Sequence, residues 1–196
     1  KKGKQLFHTD GTHQQEMYLI SIATEDITLE NGPTEVCVGS HIKPMTYDEF
    51  FFSKKNKKKL IFTVVSKSKK NVLRGLHMQK KFQQGKFLSV IKGKILDVVI
   101  DCRKKSRTFG KHFKIILSQK NSKSIYIPPG FAHGFCGLEK ENYVIYSCTN
   151  YRDKKSENGI MYNDKDLNIK WPFKNPILSK KDKNNLSLKE YLKKIK

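Results

Sequence analysis

Lys86-Phe87-Leu88-Ser89-Val90-Ile91-Lys92-Gly93-Lys94-Ile95-Leu96-Asp97-Val98-Val99-Ile100-Asp101-Cys102 reads as two strands joined at Lys92-Gly93-Lys94. Leu88 and Val90 share one side of the first strand, and Val98 and Ile100 share one side of the next, the period of two that a pleated strand imposes. Working outward, Phe113, Ile115 and Leu117 alternate with Lys114 and Ile116 to give a third strand. Ser124 to Ile127 is a fourth, stopped by Pro128-Pro129-Gly130, which cannot continue a ladder. Tyr143 to Thr149 is a fifth. Strands this closely spaced, with no helices between them, predict an all-β chain folded as an antiparallel sandwich or barrel. The one helix the pattern supports is C-terminal. Ser187 and Glu190 form a capping box, and Leu188, Tyr191, Leu192 and Ile195 share one face at helical spacing.

With 196 residues and 37% hydrophobic content, the chain can bury one core, which predicts one domain plus a satellite segment. No stretch approaches the roughly 18 apolar residues of a membrane span, and the first residues lack a signal-peptide layout, so the expectation is a soluble cytoplasmic protein with no membrane partner. Cys37, Cys102, Cys136 and Cys148 are widely spaced and form no Cys-x-x-Cys pair. They read as buried thiols rather than disulfide or metal ligands. The formal charge of +22 raises nucleic acid as a partner, but only Arg74, Arg103, Arg107 and Arg152 are arginines and the lysines run along the whole chain. Base and phosphate recognition favours Arg, so the excess reads as a solvated surface and no nucleic-acid partner is expected.

A seam divides the chain. Residues 1–46 carry an acidic patch and a Gly-Pro turn, a basic stretch runs from Lys54 to Lys59, and the strands begin beyond Leu60. The expected division is a segment over 1–46, not an independent domain, and a domain over 47–196.

Within the strand region, Asn71-Val72-Leu73-Arg74-Gly75-Leu76-His77-Met78-Gln79 sets a cation and an imidazole three residues apart beside a glycine. That pairing suits an anionic substrate that must lose a proton. Epimerising the carbons beside a sugar ketone needs a base on one face, a proton donor on the other and a cationic group at the oxygen that becomes an enolate. His77 suits the base, because an imidazole titrates near neutral pH. Asp182 could orient it, Tyr146 could return a proton and Lys86 could stabilise the oxyanion.

Val72-Leu73-Arg74-Gly75-Leu76-His77, Gln84-Gly85-Lys86, Asp97 to Asp101 with Ser106-Arg107-Thr108-Phe109-Gly110, Ile127-Pro128-Pro129-Gly130-Phe131-Ala132-His133-Gly134-Phe135, Asn163-Asp164, Trp171-Pro172 and Leu178 to Asp182 together resemble the dTDP-4-dehydrorhamnose 3,5-epimerase family. The ordered match runs from about Phe50 to Leu192. The resemblance implies a cupin-type jelly roll, a homodimer, no metal and no cofactor. It also implies conversion of dTDP-4-dehydro-6-deoxy-D-glucose to dTDP-4-dehydro-L-rhamnose, in deoxysugar and surface-polysaccharide synthesis. On the matching positions, His77 is the base held by Asp182, Tyr146 the acid and Lys86 the lysine near the sugar. Arg74 and His133 match positions that line the nucleotide or sugar site, and Gln79 and Trp171 complete the expected substrate-binding set, although Trp171 before Pro172 reads first as a packing anchor that could border the pocket.

The front of the chain departs from that family. An Asp-x-Arg-Gly-x-Phe-x-Glu-like motif that helps to hold the nucleotide has no counterpart, and Phe62 and Val64 stand where polar residues are usual. Residues 5–45 instead resemble a fragment of a phytanoyl-CoA dioxygenase-like protein, in which His8, Asp10 and His41 would be the vestige of an iron triad. Two other functions therefore stand beside the epimerase: a catalytically inactive sugar-nucleotide-binding or structural dimer, and an Fe(II)/2-oxoglutarate dioxygenase fragment.

Overall fold

A computed structural model describes residues 60–194, together with the backbone of two short strands before them. The N-terminal pair is β1 (Glu35–Val38) and β2 (Pro44–Thr46). Then follow β3 (Phe62–Lys69), β4 (Leu73–Gln79), β5 (Lys86–Lys92), β6 (Lys94–Asp101) and β7 (His112–Ser118). The last strands are β8 (Ser124–Ile127), β9 (Phe131–Gly137), β10 (Glu141–Cys148) and β11 (Glu157–Gly159), and two helices close the chain, α1 (Lys180–Lys183) and α2 (Leu188–Lys194).

The strands form two facing sheets. One runs β2-β1-β8-β5-β10-β3 and the other β11-β4-β9-β6-β7. Every pairing is antiparallel except β1 with β8. This is the cupin-type jelly roll, and the five strands read from the alternation are β5, β6, β7, β8 and β10. The turn at Lys92-Gly93-Lys94 falls where the pattern places it, with Gly93 at φ +84° and the carbonyl of Glu141 where a side chain would stand.

Period two also divides the core. From β6, Ile95 and Val99 point between the sheets and pack with Leu88, Val90, Leu117, Ile125 and Val144. Leu96, Val98 and Ile100 point to the opposite side and join Leu76, Met78, Leu188 and Tyr191. Strand β6 is thus buried on both faces, because α2 covers the outer one. The capping box forms as read: the backbone N–H of Ser187 donates to Glu190 Oε2 at 2.8 Å, and that of Glu190 donates to Ser187 Oγ at 3.2 Å. Burying a side chain the size of Leu188 or Tyr191 stabilises the fold by about 1.5–3 kcal/mol, which far exceeds the propensity of a seven-residue helix.

Cys102, Cys136 and Cys148 are buried and unpaired, as expected. Strand β9 was not legible as a strand from sequence, yet it lies between β4 and β6 in the second sheet. Its side chains are buried along its whole length, and it carries His133.

Candidate active site

A cavity of about 590 Å³ opens beside the apolar core between the sheets, and Phe131 and Phe135 belong to both. The inward-facing side chains of β3, β4, β5, β9 and β10 line it. His77, Arg74 and Gln79 come from β4, His133 from β9, Lys86 from β5 and Tyr146 from β10, while Asp182 reaches in from α1. His77 and Tyr146 stand on opposite sheets and share this one hollow.

His77 is placed by a local irregularity. At Gly75, φ is +117°, and an added Cβ would meet Gly134 Cα and the carbonyl of His133 at 2.6 Å each. Glycine lets β4 and β9 approach closely there, and the register slips between Arg74 and His77. Beyond the slip, His77 pairs directly with His133.

Nε2 of His77 lies 2.5 Å from Asp182 Oδ1. A carboxylate only accepts, so Nε2 carries the hydrogen and Nδ1 keeps its lone pair for the cavity. Asp182 is buried and doubly held: Ser179 Oγ donates to its Oδ2 at 2.8 Å, and its own backbone N–H donates back to Ser179 Oγ at 3.0 Å. Burial raises the carboxyl pKa, but the bonds from His77 and Ser179 outweigh it and keep the group below its ordinary value. The short helix α1 was not expected from sequence, and it is Ser179 as its N-cap that delivers Asp182.

The opposite wall holds the other two groups. Burial lowers the Lys86 ammonium below its usual range, against the pull of Cys148, Glu157 and Asp97. Among the described residues no hydrogen bond or ion pair occupies its Nζ. Burial also raises the Tyr146 phenol, which therefore stays protonated at neutral pH. His133 is 7% exposed and bonded through Nε2 to Asp97 Oδ2 at 2.8 Å. Burial lowers its pKa, with Asp97 partly offsetting, so it presents a neutral ring.

The remaining sequence-derived residues differ in placement. Arg74 lines the cavity and is steadied by Ser68 Oγ at 2.9 Å and the Lys67 carbonyl at 3.0 Å. Gln79 also lines it, but its amide is engaged by backbone: it donates to the carbonyls of Phe82 and Tyr151 and accepts from the N–H of Asp153. Trp171 stands apart from these. It is absent from the cavity wall and packs on the outer core, its Nε1–H donating to the Tyr162 carbonyl at 2.7 Å. A tryptophan before a proline carried no signal that separates an anchor from a pocket wall.

Three charged residues at the site were missed from sequence. Glu157 on β11 accepts from Arg152 at 2.8 Å and Lys181 at 2.6 Å, and its Oε1 lies 4.0 Å from His77 Nδ1. All three line the cavity. Phe62 and Val64 also face it, and Phe62 stacks on Tyr151 with ring centroids 5.4 Å apart.

His8, Asp10 and His41 lie outside the described residues. No group of three His, Cys, Asp or Glu positioned to hold a metal occurs among the described residues, and none of their helices is long and apolar enough to cross a membrane.

A jelly roll whose interior pocket holds a carboxylate-backed imidazole on one sheet, with a phenol and an ammonium on the other, has the groups that moving a proton at carbon requires. The profile of the dTDP-4-dehydrorhamnose 3,5-epimerase family matches residues 40–190. A Shigella flexneri protein named dTDP-4-dehydrorhamnose 3,5-epimerase is 48% identical over 120 residues, 61% of this chain and 66% of its own length. The Salmonella typhimurium relative of the same name is 47% identical over 60% of this chain and 65% of its own length. This chain therefore spans just under two thirds of either relative. Among solved structures, the epimerase of Elizabethkingia anophelis NUHP1 is 36% identical, with a TM-score of 0.70 over 81% of this chain and 89% of that one. A Legionella pneumophila epimerase in complex with dTDP-4-keto-L-rhamnose is 34% identical, with a TM-score of 0.71 over 83% and 88%. The chain belongs to the dTDP-4-dehydrorhamnose 3,5-epimerase family. The match begins at residue 40, so His41 falls inside it, and the comparisons give the dioxygenase-like reading of residues 5–45 no support.

Proposed function

We propose that this protein is a sugar-nucleotide epimerase acting on dTDP-4-dehydro-6-deoxy-D-glucose to give dTDP-4-dehydro-L-rhamnose. The observation that carries the reading is the His77–Asp182 pair facing Tyr146 and Lys86 across one cavity. Nδ1 of His77 takes the proton from the carbon beside the C4 ketone, and the C–H electron pair passes into an enolate. Asp182 holds the ring and balances the imidazolium. Lys86 donates to the enolate oxygen, where a cation strengthens as charge develops. Tyr146 returns a proton from the opposite face, inverting the centre. Arg74 and the half-exposed Arg152 and Lys181 stand at the same cavity, where they suit a diphosphate. The Legionella relative's bound dTDP-4-keto-L-rhamnose supports this choice of ligand.

The experiment is incubation with the dTDP-4-keto-6-deoxy sugar in deuterated water, with the C3 and C5 protons followed by NMR. Exchange and inversion at both carbons are expected, and no exchange above a His77→Ala control ends the reading. Phe62 and Val64 in the cavity wall favour one other function, a silent binder of sugar nucleotides, for which dTDP would bind without deuterium uptake.

We also take the protein to be a cytoplasmic homodimer. Among the described residues strand β3 ends its sheet, with Val65 58% exposed on it, an edge that a second copy would cover. Light scattering reads the mass directly. The division near residue 46 is likewise a proposal, tested by whether limited proteolysis cuts there and leaves 47–196 intact.

A further inference from the structure

Glu157 takes no part in the mechanism above, yet it is the second carboxylate beside the base. It projects from β11, which pairs with β4 in a register that sets Gly159 opposite His77 and Glu157 opposite Gln79. Its side chain is 8% exposed, and both oxygens are occupied. Lys181 Nζ donates to Oε1, while Nε and Nη2 of Arg152 both reach Oε2 at 2.8 Å. Oε1 stays 4.0 Å from His77 Nδ1, the nitrogen that Asp182 leaves free. That separation is too long for a hydrogen bond in the resting site, but at that range a charge in a partly buried pocket still acts strongly.

We propose that Glu157 is a positioning residue for proton abstraction, a fixed anion that Arg152 and Lys181 hold against the reactive nitrogen of His77. This rests on the reading of the site as an epimerase. The step it serves moves one proton from carbon to Nδ1 and leaves the C–H pair on the enolate. The imidazolium so formed then has Asp182 at Nε2 and Glu157 at Nδ1. Glu157 remains ionised throughout: burial raises its carboxyl pKa, but the bonds from Arg152 and Lys181 outweigh that and hold it below the ordinary value. It therefore serves as a charge, and a carboxylate clamped by two cations is a poor acceptor for the proton itself.

The other charged and titratable groups that line the cavity with His77 are Arg74 from its own strand β4, Asp182 and Lys181 from the α1 segment, His133 from β9, Lys86 from β5, Tyr146 and Cys148 from β10 and Arg152 from the loop before β11. Arg74, Lys86, Lys181 and Arg152 are cations that disfavour a protonated imidazole. Glu157 and Asp182 are the two anions that oppose them. Glu157 also ties the base to the rim, because Arg152 and Lys181 are 55% and 46% exposed and stand where a diphosphate would approach.

The bland alternative is that Glu157 only staples β11 to the chain before and after it. The test is an NMR titration of the His77 ring in the substrate-free protein, compared with Glu157→Gln and Glu157→Asp. The His77 midpoint is expected to fall in Glu157→Gln relative to the unaltered protein and to recover at least in part in Glu157→Asp, which restores the charge. Deuterium uptake by Glu157→Gln should fall at least about tenfold in kcat, with the acid limb of its pH profile displaced the same way. Equal midpoints in all three proteins overturn the proposal, whatever happens to melting temperature. The titration needs no substrate, so absence of uptake by the unaltered protein would end the epimerase reading and with it the role in proton abstraction, while the hold of Glu157 on the His77 ring is read separately from the midpoints.

Discussion

His77 and His133 are direct cross-strand partners on β4 and β9, and each meets a carboxylate at Nε2, Asp182 at 2.5 Å for the first and Asp97 at 2.8 Å for the second. The two pairs differ in what surrounds them. The His77 side chain is 26% exposed to the cavity, whereas His133 and Asp97 are almost wholly enclosed. An imidazole that must gain and lose a proton needs the open position, and a neutral hydrogen-bonding ring tolerates the closed one. Asp182→Asn should therefore lower deuterium uptake by about 10²- to 10⁴-fold, because an amide can hold the wrong ring tautomer toward the substrate.

In the proposed mechanism, substitution of Tyr146 separates abstraction from inversion. Tyr146→Phe keeps the ring and removes the proton donor on the far wall. Deuterium should still enter the carbon beside the ketone, returned by His77 from the face it left, so exchange without inversion is expected. NMR of the recovered sugar distinguishes the two, and inversion at the unaltered rate would remove Tyr146 from the mechanism.

Lys86 carries opposite predictions for activity and stability. Its ammonium is desolvated, so Lys86→Met should raise stability at neutral pH by roughly 1 kcal/mol while lowering turnover by about 10²- to 10³-fold. The sign with pH follows from the depressed folded-state value. The unfolded chain holds this proton more tightly, so the fold gains stability as pH rises through the folded value toward the ordinary lysine value of about 10.4. Over the same window the rate should fall. Thermal melts and rate profiles of the two proteins check both limbs.

Asp101 is a structural carboxylate. Arg103 grips both its oxygens, at 2.9 and 2.8 Å, and Ser106 and Thr108 donate to it as well. Burial raises its pKa, but these bonds outweigh burial and hold the carboxyl far below the usual range. Because the folded value is depressed, the stabilisation is present above the unfolded value of about 3.9 and is lost as pH falls through the folded one. Asp101→Asn should cost on the order of 2 kcal/mol near neutral pH, since the partner Arg103 is itself 41% exposed. The loss should shrink in acid, as denaturant melts at two pH values would register.

Trp171→Phe separates packing from binding. The substitution removes the bond to the Tyr162 carbonyl and part of the contact with the outer core, at a cost of about 1 kcal/mol. KM and kcat should be unchanged. A change in either would return Trp171 to the substrate-binding set.

Much of the scaffold was legible because sheet formation is a local matter of alternation and turn chemistry. The strands β5 to β8 and β10, the turn at Gly93 and the cap at Ser187 all follow from residues within a few positions of one another. Strand β9 escaped because Phe131-Ala132-His133-Gly134-Phe135 mixes glycine and histidine into a run buried on both faces, where period two leaves no polar side to read. The helix α1 escaped because four residues of Lys-Lys-Asp-Lys have no apolar stripe.

The site divides in the same way. His77, Lys86, Tyr146, Asp182, Arg74 and His133 could be named from the chain as candidates, because their residue types and ordered motifs suit proton transfer, and one cavity brings them together. Sequence by itself determined an all-β domain with those groups along it. That Asp182, 105 residues away, meets His77 was implied by the family resemblance and by no local pattern, and only the tertiary structure decided that Glu157 stands at the ring's other nitrogen and that Trp171 turns to the outer core. The reason is physical: alternation fixes which face of a strand a side chain takes, but which side chains meet depends on how two sheets and a tail close over one another, and no local pattern encodes that.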